Sequence, residues 1–342
     1  MSRLWPGTAT CVVLGGWLVV LSAAAARPEE HRADWLRAAR WGVMSHYLPD
    51  WIEPARQWTS QEWNGLVDGF DVEALARQLQ DLGAGYYLLT IGQNSGFYLS
   101  PNATYDRYVG IRPSRCSRRD LVADVHEALA RRGIPLMVYL PSGPPARDGV
   151  AQKGLAFEGD GRRNREFQDR WEEVIREWAL RWGPKVAGWW FDGCYHPNAM
   201  YRYPDPPNFA SFAEAARAGN PARILAFNHG VFHPVLSVTQ HEDYTAGEVN
   251  DLERDLVKSR WREGRVDGSQ LHVLSYLGRT WGRGAPRFTA EEAAGYTRKV
   301  RGLGGVVTWD VPVQRNGVMT AEFVERLRAV AAAADGAVPP LP

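Results

Sequence analysis

Short apolar runs rich in β-branched and aromatic residues recur along the chain, each bounded by Gly, Pro or Asn. Residues 41–48, 86–91, 135–140, 186–192, 224–228, 237–240, 271–277 and 306–311 form eight such runs. They lack polar alternation, the pattern of parallel strands buried on both faces. Amphipathic helical patterns lie between most of them. Residues 71–82 open on an acidic cap, Asp71, with Glu73 in the first turn, and 120–131 repeat that design before stopping at Gly133. Residues 165–182 carry Phe167, Trp171, Val174, Ile175, Trp178 and Trp182 at helical spacing, and further helical patterns cover 209–218, 249–262, 290–303 and 321–334.

Strands alternating with helices imply βαβ units and a parallel sheet. Eight units fit a closed (β/α)8 TIM barrel better than an open doubly wound sheet, and no GxGxxG follows the first strand. The stretch after Asn228 is too short for a full helix, so the fifth unit reads as degenerate. The expected organisation is a leader over residues 1–26, one α/β barrel domain over 27–335 and a Pro-rich tail over 336–342, with no C-terminal β-sandwich.

The leader reading rests on Arg3, an apolar run from Cys11 to Leu21 and the small residues Ala24-Ala25-Ala26 before Arg27, which together form a signal-peptide pattern. The apolar run is shorter than the ~20 residues of a spanning helix, so a retained anchor is the lesser alternative. The sequence thus points to a secreted or periplasmic protein with no stable membrane insertion after cleavage. About 315 residues remain, and loss of Arg3 takes the net charge from +1 to about zero. That balance offers no footprint for nucleic acid. Cys116 and Cys194 are left to pair or to stay free. Without CxxC, HExxH or a phosphate-binding glycine loop, neither a metal nor a cofactor is expected. Oligomeric state leaves no trace in the sequence.

The 15 tryptophans, two of them in the leader, include Trp41-Gly42, Trp189-Trp190 and Trp281-Gly282. An indole can lie flat on a sugar ring, although a single Trp more commonly fills core. In a barrel of this kind the chemistry sits where the strands end. His46 follows the first strand, Gln93, Asn94 and Ser95 the second, and Tyr139 and Ser142 close the third. Asp192 closes the fourth, Asn228 and His229 the fifth, Glu242, Asp243 and Glu248 follow the sixth, Trp281 the seventh, and Asp310 belongs to the eighth. Carboxylates, amides, imidazoles and indoles on one rim are what a sugar site needs, with two carboxyl groups flanking the anomeric carbon. Asp192 stands out because an acid ends the apolar run Val186-Ala187-Gly188-Trp189-Trp190-Phe191, where an unpaired charge is costly. An ordinary Asp-Gly turn is the competing explanation.

The run Trp190-Phe191-Asp192-Gly193 resembles the nucleophile strand of the retaining α-L-fucosidases of glycoside hydrolase family 29. Other blocks agree in order: Trp41-Gly42-Val43-Met44-Ser45-His46 is similar to that family's first strand, 83–90 with Gly96-Phe97 to its second strand and loop, 120–139 to the helix and third strand, and 304–311 with Asn316-Gly317 to the last strand and turn. The resemblance covers roughly residues 35–332.

It implies that Asp192 attacks the anomeric carbon to form a glycosyl-enzyme ester. Asp243-Tyr244-Thr245-Ala246-Gly247-Glu248 is similar to the family's Asp-aromatic-x-Thr-Pro-Glu stretch, which implies Glu248 as acid/base, with Glu242 as second choice. The competing readings are a first-turn acid of a helix for Glu248 and a core histidine for His46. By resemblance, His46 binds a sugar hydroxyl and Trp281 lines the sugar pocket. Gln93, Asn94, Tyr139 and Asn228 complete the expected substrate contacts. Where the family has His-His-Asp-Gly-Phe, this chain has Gln93-Asn94-Ser95-Gly96-Phe97, and Trp309-Asp310 stands where the family tends to have Asn. The expected function is an exported, retaining glycosidase of α-L-fucosidase type acting on a terminal deoxy-sugar. A catalytically inactive carbohydrate-binding barrel and a glycosidase for another sugar are the alternatives. Asn102-Ala103-Thr104 matches an N-glycosylation acceptor.

Overall fold

The computed structural model describes residues 31–336 together with Met1, so the apolar run of the expected leader lies outside the described residues, as do 337–342 of the tail. Seven strands form one parallel sheet: β1 (Trp41–Ser45), β2 (Tyr87–Thr90), β3 (Leu136–Pro141), β4 (Val186–Asp192), β5 (Ile224–Phe227), β6 (His272–Tyr276) and β7 (Val306–Asp310). Their order is β5-β4-β3-β2-β1-β7-β6, so the first and last strands are neighbours and the sheet curls as in a TIM-barrel-like domain.

The pleat divides each strand between two apolar layers. Trp189 and Phe191 pack outward with Trp178, Trp182 and Phe212 from the helices, whereas Trp190 packs inward with Met44, Leu88, Met137, Tyr139 and Leu274. Asp192 shares the inward parity of Trp190 and emerges at the mouth of the curl.

Helices form where cap and periodicity agree. Val72–Leu82 and Leu121–Ala130 start at Asp71 and Asp120, whose carboxylates accept from the amides of Ala74 and Ala123. Arg165–Trp182 runs over the expected residues. Phe209–Arg217, Ala290–Gly302 and Ala321–Asp335 follow. None of the described helices is long and apolar enough to cross a membrane.

Two expected elements are corrected. Residues 237–240 are not a strand, and 249–262 are not a helix. The sixth strand position is taken instead by an irregular segment, 243–249, that bonds to both sheet edges. Asp243 N donates to Leu225 O on the β5 side, while Thr245 N donates to Gln270 O and Leu274 N to Gly247 O on the β6 side. Val249 is held extended against β6 instead, its amide donating to Leu274 O and its carbonyl accepting from the Ser275 hydroxyl. A small antiparallel sheet of Trp261–Arg262, Arg265–Val266 and Ser269–Gln270 follows.

The Asn102 reading is also corrected. Its side chain is buried, capping the helix Ala103–Val109 through Tyr105 N and donating to Val174 O at 2.9 Å. That amide has no room for a glycan. Cys116 and Cys194 are both free and buried.

Candidate active site

Asp192 ends β4 with its carboxylate held by four donors. Oδ1 accepts from the Gly193 amide at 2.8 Å, the Asn228 amide at 2.8 Å and the Tyr195 hydroxyl at 3.2 Å. Among the described residues Oδ2 accepts from the Tyr139 hydroxyl alone, at 2.5 Å. The Tyr139 phenol is pushed well above its ordinary range by burial and by the Asp192 charge, so it stays protonated and donates. Its oxygen in turn accepts from Gln93 Nε2 at 2.7 Å.

Asn228 also joins Asp192 to Glu248. Its Nδ2 donates to Asp192 Oδ1 at 2.8 Å and to Glu248 Oε2 at 2.6 Å, so the two oxygens lie at most about 5.4 Å apart, the two bonds laid end to end. Retaining pairs sit at ~5–5.5 Å and inverting pairs at ~6.5–9.5 Å. Burial, reinforced by the Asp192 charge, pushes the Glu248 carboxyl up to about 7 against the pull of the Asn228 bond.

The irregular sixth segment is what brings Glu248 here. Gly247 has φ +60°, and a Cβ on it would lie 1.9 Å from His272 O, so a side chain there would push the segment off β6. The Trp190 indole donates to Ala246 O at 2.9 Å, tying the same segment to β4.

The acids open into a pocket of about 190 Å³, small beside the ~300–1,000 Å³ of sites for drug-sized ligands. His46, Trp51, Gln93, Asn94, Tyr139 and Trp281 help to line it. Trp190 stacks on Tyr139 at 5.3 Å to form part of the floor. His46 Nδ1 bonds the fully buried Asp310 Oδ1 at 2.9 Å and its ring stacks on Trp51 at 5.6 Å. Asp310 Oδ2 accepts from the Gly282 amide at 2.5 Å, and the Trp51 indole donates to Trp281 O at 2.7 Å. One carboxylate thus fixes both the imidazole and the turn that carries Trp281. Among the described residues no three metal-ligating side chains converge.

No protein-family model matches the sequence, and no curated protein matches it either. Solved structures do. The endo-fucoidan hydrolase P5AFcnA of glycoside hydrolase family 107 aligns with a TM-score of 0.67 over 90% of this chain and 94% of its own, at 17% identity. The α-L-fucosidase AlfC from Lactobacillus casei, solved with α-L-fucose product, aligns at 0.62 over 89% and 98%, with 14% identity. A family 29 α-L-fucosidase from Bacteroides thetaiotaomicron aligns at 0.59 over 90% and 74%, with 15% identity. The chain shares their fold. At such identities the likeness speaks to architecture, and the site has to be argued from its own residues.

Of the residues expected from sequence, Asp192, Glu248, His46, Gln93, Asn94, Tyr139 and Trp281 line the one pocket, and Asn228 bridges its acids. Glu242 does not line it. Its carboxylate accepts from the amides of Phe227, Val238 and Thr239 and from the Ser237 hydroxyl, pinning the 237–242 loop to the end of β5. Gln93 spends one N–H of its amide nitrogen on Tyr139 and keeps the other for a ligand. Trp51, Tyr195 and the role of Asp310 were not anticipated. Trp51 lies in a four-residue helix, Pro49–Ile52, with no motif around it. Tyr195, three residues past Asp192, could have been suspected from that proximity.

Proposed function

We propose that the protein is a glycoside hydrolase acting on fucosylated sugars by a retaining mechanism, with Asp192 as nucleophile and Glu248 as acid/base. The observation that carries this reading is the shared Asn228 amide, which keeps an oxygen of each carboxyl group at most about 5.4 Å from the other, short of the inverting range, while burial raises Glu248 to about 7. The fucose-active neighbours of the same fold supply the sugar. Export rests on the leader-like residues 1–26 alone.

Asp192 Oδ2, with a single donor, attacks the anomeric carbon as the glycosidic C–O bond breaks, and Glu248 passes its proton to the departing oxygen. The ester removes the Asp192 charge, and with it one of the two influences that raise Glu248. The carboxylate left on Glu248 then takes a proton from water, whose oxygen attacks the same carbon and releases Asp192. The small pocket admits one ring, with Trp281 and Trp51 as apolar walls and His46 Nε2 free for a hydroxyl.

The test is hydrolysis of a panel of aryl glycosides, led by 4-nitrophenyl α-L-fucoside, by the protein and its Asp192→Ala variant, with the first-formed anomer followed by NMR. Fucoside turnover that vanishes in the variant and gives the retained anomer supports the reading. Turnover of another glycoside replaces the sugar, the inverted anomer refutes the mechanism, and sugar binding with no turnover of any glycoside makes the protein a binding barrel.

A further inference from the structure

The segment 243–249 carries Glu248 but pairs with its neighbours only at isolated points. Two of these fasten it to the β6 side, Tyr244 to Gln270 and Glu248 to Leu274. His272 lies between them, at the start of β6, and is buried. It shares the inward parity of Leu274 and stands one layer beneath it. Leu274 lines the Asp192 pocket, whereas His272 does not reach it. The histidine grips Thr245 three times. Its amide donates to Thr245 Oγ1 at 2.9 Å, its carbonyl accepts from the same hydroxyl at 2.7 Å, and its ring Nδ1 meets Thr245 O at 2.9 Å.

These bonds admit one arrangement of hydrogens. Thr245 O is a carbonyl and can only accept, so the imidazole carries its hydrogen on Nδ1. Nε2 is then an acceptor and takes the Thr308 hydroxyl of β7 at 2.7 Å. Thr308 Oγ1 in turn takes the Tyr86 phenol, just before β2, at 2.5 Å. The chain of donors thus runs from Tyr86 through β7 and β6 to the backbone of the segment that carries Glu248. A second hydrogen, on Nε2, would leave one hydroxyl hydrogen of the Tyr86–Thr308 pair without an acceptor in this chain. Burial also pushes the imidazole down to about 4, so the neutral form is the one that holds Thr245.

We infer that His272 is a positioning residue for proton transfer: its Nδ1 bond to Thr245 O fixes the segment three residues ahead of Glu248 and so sets the reach of that carboxyl to the departing oxygen. The histidine does this without touching the sugar. The inference rests on the reading of Glu248 as the acid/base of a fucoside-cleaving site.

Two substitutions separate the two ring bonds. In His272→Asn the side-chain nitrogen takes the place of Nδ1 and can still donate to Thr245 O. In His272→Gln the side-chain amide takes the place of Nε2, reaching Thr308 but not Thr245 O. Each variant loses one buried hydrogen bond, so their melting temperatures are expected to fall alike. Their kcat/KM values are expected to part. His272→Gln loses about tenfold or more on a fucosyl-galactose disaccharide, whose leaving group needs a proton, and little on α-L-fucosyl fluoride. Its alkaline limb moves to lower pH as Glu248 leaves its buried place, while His272→Asn stays close to the unaltered protein on both substrates. Equal losses in the two variants, or a loss on the fluoride as large as on the disaccharide, overturn the inference and leave His272 as core packing. Should His272→Gln fail to fold, Thr245→Val breaks the same tie from the segment side; disaccharide-selective loss there supports the inference and uniform loss overturns it. Glu248→Gln in the same assay separates the two readings. If it spares the disaccharide, or if the unaltered protein turns over neither substrate, the proposed function falls and the inference with it. If it fails on the disaccharide alone while the histidine variants behave alike, only the inference falls.

Discussion

Tyr139 and Asp192 face one another across β3 and β4, phenol to carboxylate at 2.5 Å. This is the only hydrogen bond that Asp192 Oδ2 receives among the described residues, and the same phenol oxygen accepts from Gln93. Tyr139→Phe removes the donor, frees Gln93 and leaves Oδ2 without a fixed direction. A hydrogen bond to a charged group contributes about 1.5–3 kcal/mol, so kcat/KM for a fucoside is expected to fall roughly 10–100-fold with the fold intact. Steady-state kinetics with a matching thermal melt check it, and an unchanged kcat/KM refutes the positioning role.

In the proposed mechanism Glu248 has to be protonated when the leaving group departs. Its carboxyl is raised to about 7, so the acid form persists below that pH and is lost above it. The kcat/KM profile is expected to be level well below pH 7, to bend near 7 and to fall about tenfold per unit on the alkaline side. With fucosyl fluoride, whose departure needs no proton, Glu248→Gln is expected to show no such limb. Persistence of the limb in the variant would assign it to another group.

Glu242 and Glu248 separate by their symptoms. Glu242→Gln sets an NH2 group against backbone donors and is expected to cost about 1–3 kcal/mol of stability while the folded fraction keeps its kcat. Glu248→Gln is expected to leave the melting temperature nearly unchanged and to lower kcat for poor leaving groups by about 100-fold or more. Melting curves and kinetics on both variants decide, and the opposite pattern would restore Glu242 as the acid.

Asp310 acts through His46 and through the Gly282 amide. In Asp310→Asn the amide oxygen can serve only one of these two donors, so either the imidazole or the Trp281 turn loses its anchor. The expected result is a KM raised about tenfold with a smaller change in kcat, because ground-state binding suffers more than the chemical step. Equal losses in kcat and kcat/KM would instead place Asp310 in the chemistry.

Much of the architecture is legible in the chain. The seven strands of the sheet end within a few residues of where an apolar run meets Gly, Pro or Asn, and Asp71 and Asp120 cap the helices their positions announce. These features are local, and local chemistry is enough to form them. The sixth unit is not local. Its apolar residues at 249, 252 and 256 imitate a helix, but the Val249 backbone is spent on β6 and Leu256 O accepts from Val235 N, and neither partner is near in sequence.

The candidate site divides along the same line. Residue type and strand-end position picked out Asp192, His46, Tyr139 and Trp281, because strand ends in a curled parallel sheet converge on one mouth. Sequence could not choose between Glu242 and Glu248, six residues apart on one irregular loop. That choice fell to the donors each carboxylate meets in space: three backbone amides and a hydroxyl around Glu242, a single shared amide and an open pocket beside Glu248. In the same way, the amide of Gln93 reads in sequence as a ligand for sugar and in the fold also as a support for Tyr139. The chain by itself determined which side chains could do the chemistry. Only the tertiary structure decided which of them stay free to do it, because a polar group withdrawn from water takes the nearest partner the fold offers, and that partner comes from elsewhere in the chain.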